Sequence, residues 1–188
     1  MDKLDEKQRK FSKIVIFYPL GVFIASLLIN WLVLDVNAFN ASIPDKSIIG
    51  SMAVSGVIML INHVWLMTAT ELVRVKYRIY ATPEEWKASD SNIEDVSDVG
   101  WQELERVQNA HRNTNENTIY FLALALPFAL LDPPSVTAYL WIVAYALARL
   151  GYTYSYLSGQ DNLRGLFMTL GLLSSFGIAS YFFMSVLL

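Results

Sequence analysis

The chain has 188 residues, 54% hydrophobic and only 16% charged, more apolar mass than a soluble core of that length needs. Fourteen basic and 17 acidic residues leave a net charge of −3, too weak a cationic field to hold nucleic acid nonspecifically. Zero Cys and only two His exclude disulfides, thiolate metal sites, a cysteine nucleophile and a His-built metal centre, so any thiol chemistry must come from a bound small molecule.

Residues 14–34 form an uncharged run that spans roughly 30 Å at about 1.5 Å per residue, the thickness of a bilayer's hydrocarbon core. A basic front precedes it (Lys3, Lys7, Arg9, Lys10, Lys13). The run exceeds the roughly 7–15 apolar residues of a secretory signal, so a retained membrane helix is expected. A second run, 48–72, is interrupted by Asn62 and His63 and ends at Glu71. The stretch 79–104, with Pro83, Glu84, Glu85, Asp90, Glu94, Asp95 and Asp98, reads as a solvated loop. A third run covers 114–131, Asp132-Pro133-Pro134 breaks it, and a fourth covers 135–157. A polar turn with Gly159 and Asn162 leads to a fifth, 164–187. The expected fold is an all-α membrane protein. Five spans put every Lys and Arg except Lys46 on one face, which assigns that face to the cytoplasm, with the amino terminus inside and the carboxyl terminus outside.

The densest polar text runs from Glu105 to Asn117, directly into the third span. Helical spacing aligns Arg106, Asn109, Asn113 and Glu116 on one stripe. A carboxylate at membrane depth needs a partner, and Arg149 or Arg74 are candidate counter-charges. The pattern fits either an interhelical polar clamp or a site for a small zwitterion. In the fourth span Arg149, Tyr152 and Tyr156 recur at i, i+3 and i+7, as a ligand wall or as interfacial belt residues. Arg164 opens the fifth span, where it either snorkels to headgroups or stabilises a bound thiolate. His63 reads as an interhelical hydrogen-bonding residue and no metal ligand. A Ser-His-Asp set, a phosphate-cradling glycine loop and a Rossmann fingerprint are all missing from the sequence.

Glu105-Arg106-Val107, then Ala110-His111-Arg112-Asn113 and Glu116-Asn117, resembles the signature of the membrane-associated proteins in eicosanoid and glutathione metabolism (MAPEG). Upstream, Arg74 followed by Tyr80-Ala81-Thr82-Pro83-Glu84 is similar to the end of that family's first helix. Downstream, Ala148-Arg149-Leu150-Gly151-Tyr152, Tyr156-Leu157-Ser158-Gly159 and Leu163-Arg164 resemble its later helices. The likeness covers roughly residues 64–188. It implies a homotrimer of helical bundles that binds glutathione between neighbouring protomers near the cytoplasmic face. Carried over by position, Arg74, Arg106, Asn113, Glu116, Arg149, Tyr152 and Tyr156 are the expected glutathione contacts, and Arg164 the catalytic group beside the sulfur. No metal is implied. Lipophilic electrophiles, and lipid hydroperoxides as a related substrate, would enter from the bilayer.

The sequence also departs from that pattern. Asn109 stands where many relatives carry arginine, Tyr152 where some members have histidine, and Tyr120 where a proline is common. The first 40 residues add a membrane helix to a four-helix family domain expected over 41–188. The expected function is an integral membrane glutathione transferase in a bacterial inner membrane; a noncatalytic lipid-binding scaffold of the same family is the alternative.

Overall fold

The computed structural model describes residues 6–188, with side chains from Lys10 onward. Lys3 of the expected basic front therefore lies outside the described residues, as do the side chains of Lys7 and Arg9. Among the described residues there are six α-helices and no strand: α1 (Glu6–Leu32), α2 (Lys46–Tyr77), α3 (Pro83–Ala88), α4 (Asp98–Ala129), α5 (Ser135–Leu157) and α6 (Asp161–Leu187), with one 3-10 turn at Ile93–Asp95.

Local signals set most of the boundaries. The Asp45 carboxylate accepts from the Lys46 N–H to start α2, and Arg78 closes it in the left-handed conformation (φ 55°), its N–H returning to Arg74 and Val75. α4 starts where Ser97 Oγ accepts from the Gly100 N–H at 3.2 Å. α5 follows Pro133-Pro134 and ends before Gly159, whose φ of 69° suits a residue without a side chain.

The stretch 79–104 is more ordered than expected. Thr82 caps α3, Asn92 and Asp95 form a capping box around the 3-10 turn, and residues 98–104 already belong to α4. Gly100, Leu104, Val107, Ala110 and Thr114 are buried along one side of that helix, a helical stripe whose polar flank hides it from an apolar-run reading. α2 likewise continues past Glu71 to Tyr77.

α5 is the central helix, packed against α2, α4 and α6, while α1 lies on the outside of α6. The Tyr77–Gly100 contact and the His63–His111 pair make α2 and α4 antiparallel. α1 and α6 run parallel: Tyr18 Oη donates to Thr169 Oγ1 at 2.6 Å, and Ser26 lies beside Ser180. Asn30 is the knot of this seam. Its amide donates to Gly177 O and Ser180 Oγ, both at 2.8 Å, and its carbonyl accepts from Trp141 Nε1 at 2.9 Å. Trp141 lies flat on Gly177, where a Cβ would sit 2.4 Å from the indole. The strap between α1 and α2 is tied across the same end by Asn37 N–H to Tyr181 Oη, Phe39 N–H to Ser185 O and Ser42 N–H to Leu130 O. Beneath it, Phe121 stacks on Tyr145 and Phe128 meets Tyr181 edge to face.

Three of the helices are long and apolar enough to cross a bilayer: Lys10–Leu32, Lys46–Tyr77 and Asp161–Leu187. With 32 and 23 residues, α4 and α5 reach about 48 and 34 Å, but the polar stripe of α4 and the Arg149 and tyrosine face of α5 interrupt their apolarity. The chain is an integral membrane protein, all-α among the described residues.

Candidate functional site

α4, α5 and α6 meet around Arg149. Its side chain is among the largest fully enclosed groups, 2% exposed. Nη2 donates to Asn113 Oδ1 at 2.8 Å and Thr114 Oγ1 at 3.0 Å, and the guanidinium carbon lies 4.4 Å from the Tyr152 ring centre. Nε is buried with no partner. The three ion pairs among the described residues are Arg74–Glu71, Arg106–Glu103 and Arg164–Asp161, so no carboxylate neutralises Arg149. A buried cation held only by an amide, a hydroxyl and an aromatic face keeps most of its capacity for an anion.

From Arg149 the row continues toward the end of α5. The Tyr152 and Tyr156 rings are 5.6 Å apart, and the Arg164 guanidinium lies 5.1 Å from the Tyr156 centre. Arg164 pairs with Asp161 at 3.2 Å, a contact between a half-buried and an exposed side chain that gives way easily. Arg106 closes the row from α4, donating to Glu103 at 2.7 Å and to Leu157 O, at the end of α5, at 3.3 Å.

Of the eight residues expected at the site, Asn113, Arg149, Tyr152, Tyr156 and Arg164 form one connected row, and Arg106 borders it. Arg74 and Glu116 stand apart within the chain. Arg74 pairs with Glu71 and lines a separate cavity of about 370 Å³ with Tyr80, Trp101 and Gln108. Neither Arg74 nor Arg149 serves as the counter-charge expected for Glu116, which is exposed. The reason is angular: three residues advance a helix by about 300°, so Glu116 sits roughly 60° off Asn113, beside Asn109 on the outer flank.

Thr114 was not anticipated, although it shares the buried stripe of Val107 and Ala110 and so had to face α5. His63 behaves as expected, with Nδ1 3.2 Å from His111 Nε2.

Fold and site together define a polytopic helical membrane protein with a cationic, tyrosine-lined row between three helices. The MAPEG family model matches residues 52–184, most of the chain, and the chain belongs to that family. It is similar to microsomal glutathione S-transferase 1 of Sus scrofa, 32% identical over 117 residues that cover 61% of this chain and 75% of the relative. The enzyme of the same name from Homo sapiens is 30% identical over 61% and 74%. That from Mus musculus is 28% identical over 68% and 83%. All three matches are too short to cover the whole of α1 to α6.

Proposed function

We propose that this protein is a membrane glutathione transferase that activates the thiol of glutathione by charge and delivers it to lipophilic electrophiles. The observation that carries this reading is the buried, carboxylate-free Arg149, joined through Tyr152 and Tyr156 to Arg164. Arg149 and Arg106 offer planar forks for the two carboxylates of the tripeptide. Arg164 stands at the other end, where a nearby cation lowers a thiol's pKa and favours the attacking thiolate. With an aryl halide, the sulfur–carbon bond forms, the carbon–halogen bond breaks, the halide leaves with the electron pair and the thiol proton passes to solvent. With a lipid hydroperoxide, two thiols are oxidised to one disulfide while the hydroperoxide is reduced to an alcohol and water.

In this reading α4 and α5 join the three apolar helices as spans, with the amino terminus and the cationic row on the cytoplasmic side. Arg74, from its separate cavity, and the exposed Glu116 complete the site of a neighbouring protomer in a homotrimer, Glu116 neutralising the glutathione ammonium. The test is conjugation of glutathione to an activated aryl halide by the purified protein. Turnover with thermal stabilisation by glutathione is expected; lipid binding with neither response would identify a noncatalytic scaffold instead.

A further inference from the structure

The first turn of α6 carries Arg164 and is weakly held by its neighbours in the chain. No side chain caps it, and Gln160 offers only its carbonyl, to the Arg164 N–H at 2.9 Å. Asp161 and Asn162 are exposed, and nothing lies within 4 Å of where a Cβ on Gly165 would stand. On the α5 side the turn rests on Phe167, pressed against Gly151, an apolar contact without directional preference.

The directional hold comes from α1. Tyr18 Oη donates to Thr169 Oγ1 at 2.6 Å, and that hydroxyl donates to Gly165 O at 2.8 Å. Two bonds in series therefore run from α1 into the residue that follows Arg164, each polarising the other. A tyrosine near a basic front ordinarily sends its hydroxyl to the headgroups; Tyr18 is half-buried and gives it to α6 instead. Gly165 and Thr169 are one turn apart and share the side of α6 that meets α1, whereas Arg164 faces Tyr156 of α5, 5.1 Å from the ring centre. Other joints of this seam, Phe23 on Phe176 and Asn30 on Gly177 and Ser180, lie further along.

We infer that Tyr18 is a positioning residue for the reaction: through Thr169 it fixes the rotation of the first turn of α6, and so the place of the Arg164 guanidinium beside the sulfur of glutathione. This rests on the glutathione-transfer reading and adds to it a role for α1, which lies outside the residues matched by the family model. The attraction between a cation and a thiolate falls with distance. An arginine free to turn toward Asp161, its partner at 3.2 Å, stabilises the thiolate less, although its charge is unchanged.

The full-length protein in nanodiscs, assayed across pH with an activated aryl halide, tests this. In Tyr18→Phe, kcat near neutrality falls about threefold, in line with one neutral hydrogen bond, while the KM for glutathione stays within about twofold. The rising limb of the kcat–pH profile moves to higher pH, by less than in Arg164→Ala. Thr169→Val reproduces the shift, and Thr169→Ser, which keeps the hydroxyl, does not. Added to Arg164→Ala, Tyr18→Phe moves the limb no further, because its effect runs through Arg164. Asn30→Leu loosens the same seam elsewhere; it lowers the melting temperature and leaves the limb in place. A Tyr18→Phe limb that coincides with wild type, adds to the Arg164→Ala shift or is matched by Asn30→Leu overturns the proposal. Amide exchange over residues 164–169, followed by mass spectrometry without glutathione, reads the clamp without turnover. It quickens in Tyr18→Phe and Thr169→Val and holds in Asn30→Leu; an unchanged rate in Tyr18→Phe overturns the clamp. If wild type conjugates nothing, the transferase reading fails, and exchange alone upholds or overturns the hold of Tyr18 on α6.

Discussion

The outer seam of α1, α5 and α6 and the inner junction of α4, α5 and α6 are both built from polar groups buried among hydrocarbon, yet they are finished differently. Asn30 spends both donor hydrogens and its carbonyl on Gly177, Ser180 and Trp141. Arg149, equally enclosed, makes two bonds from a single nitrogen, leaves Nε without a partner and meets no carboxylate. A saturated polar group fixes packing; an unsaturated cation is an invitation to a ligand. The difference lies in the number of bonds left over, since burial is the same in both.

The comparison breaks most directly at Arg149. Replacing it by Met removes a charged hydrogen-bonding group worth about 3 kcal/mol, so kcat/KM for glutathione conjugation should fall about a hundredfold, mostly in glutathione affinity as measured by calorimetry. Arg164→Ala comes next. Loss of a cation raises the pKa of the bound thiol, so the rising limb of the kcat–pH profile should move to higher pH by about one unit, cutting kcat about tenfold near neutrality with glutathione affinity little changed. An unmoved pH profile would remove Arg164 from thiol activation.

At the outer seam, Asn30→Leu strands the Trp141 N–H and should lower stability by about 1–2 kcal/mol. Thermal unfolding in detergent checks it, and glutathione affinity should hold. A loss of affinity equal to that of Arg149→Met would erase the distinction between the two regions. The smallest effect belongs to His111→Ala, which removes one interhelical contact to His63. It should cost about 0.6 kcal/mol in the same unfolding measurement and leave conjugation unaffected.

Much of this organisation was legible in the chain. α5 matches the expected run 135–157 because prolines precede it and a left-handed glycine follows it. The row Arg149, Tyr152, Tyr156 could be read because its residues share a helix, and spacing alone fixes their common face. Arg164 is readable at the opening of the last apolar run, and the structure puts it in the first turn of α6. What spacing could not convey is the partner of each face. The i, i+3 spacing groups Glu116 with Asn113, but the residual 60° turns one outward and the other toward α5. The start of α4 was hidden because hydropathy detects apolar runs, and residues 98–113 are helical through a narrow buried stripe. Asn30 carries no signal of its own inside an uncharged run, since its importance depends on Gly177 and Trp141, more than a hundred residues away.

The parallel docking of α1 on α6 has a consequence for biosynthesis. The ribosome delivers the first helix well before its seat, and at about 5–20 residues per second the interval is on the order of ten seconds. For most of that time the Asn30 amide faces lipid or a translocon wall with none of its eventual partners made, Trp141 coming first and the two acceptors of its N–H groups, Gly177 and Ser180, only with α6. Closure of the outer seam is therefore the last act of assembly, and a nascent chain stalled before Asp161 should carry a loose first helix beside an otherwise foldable core.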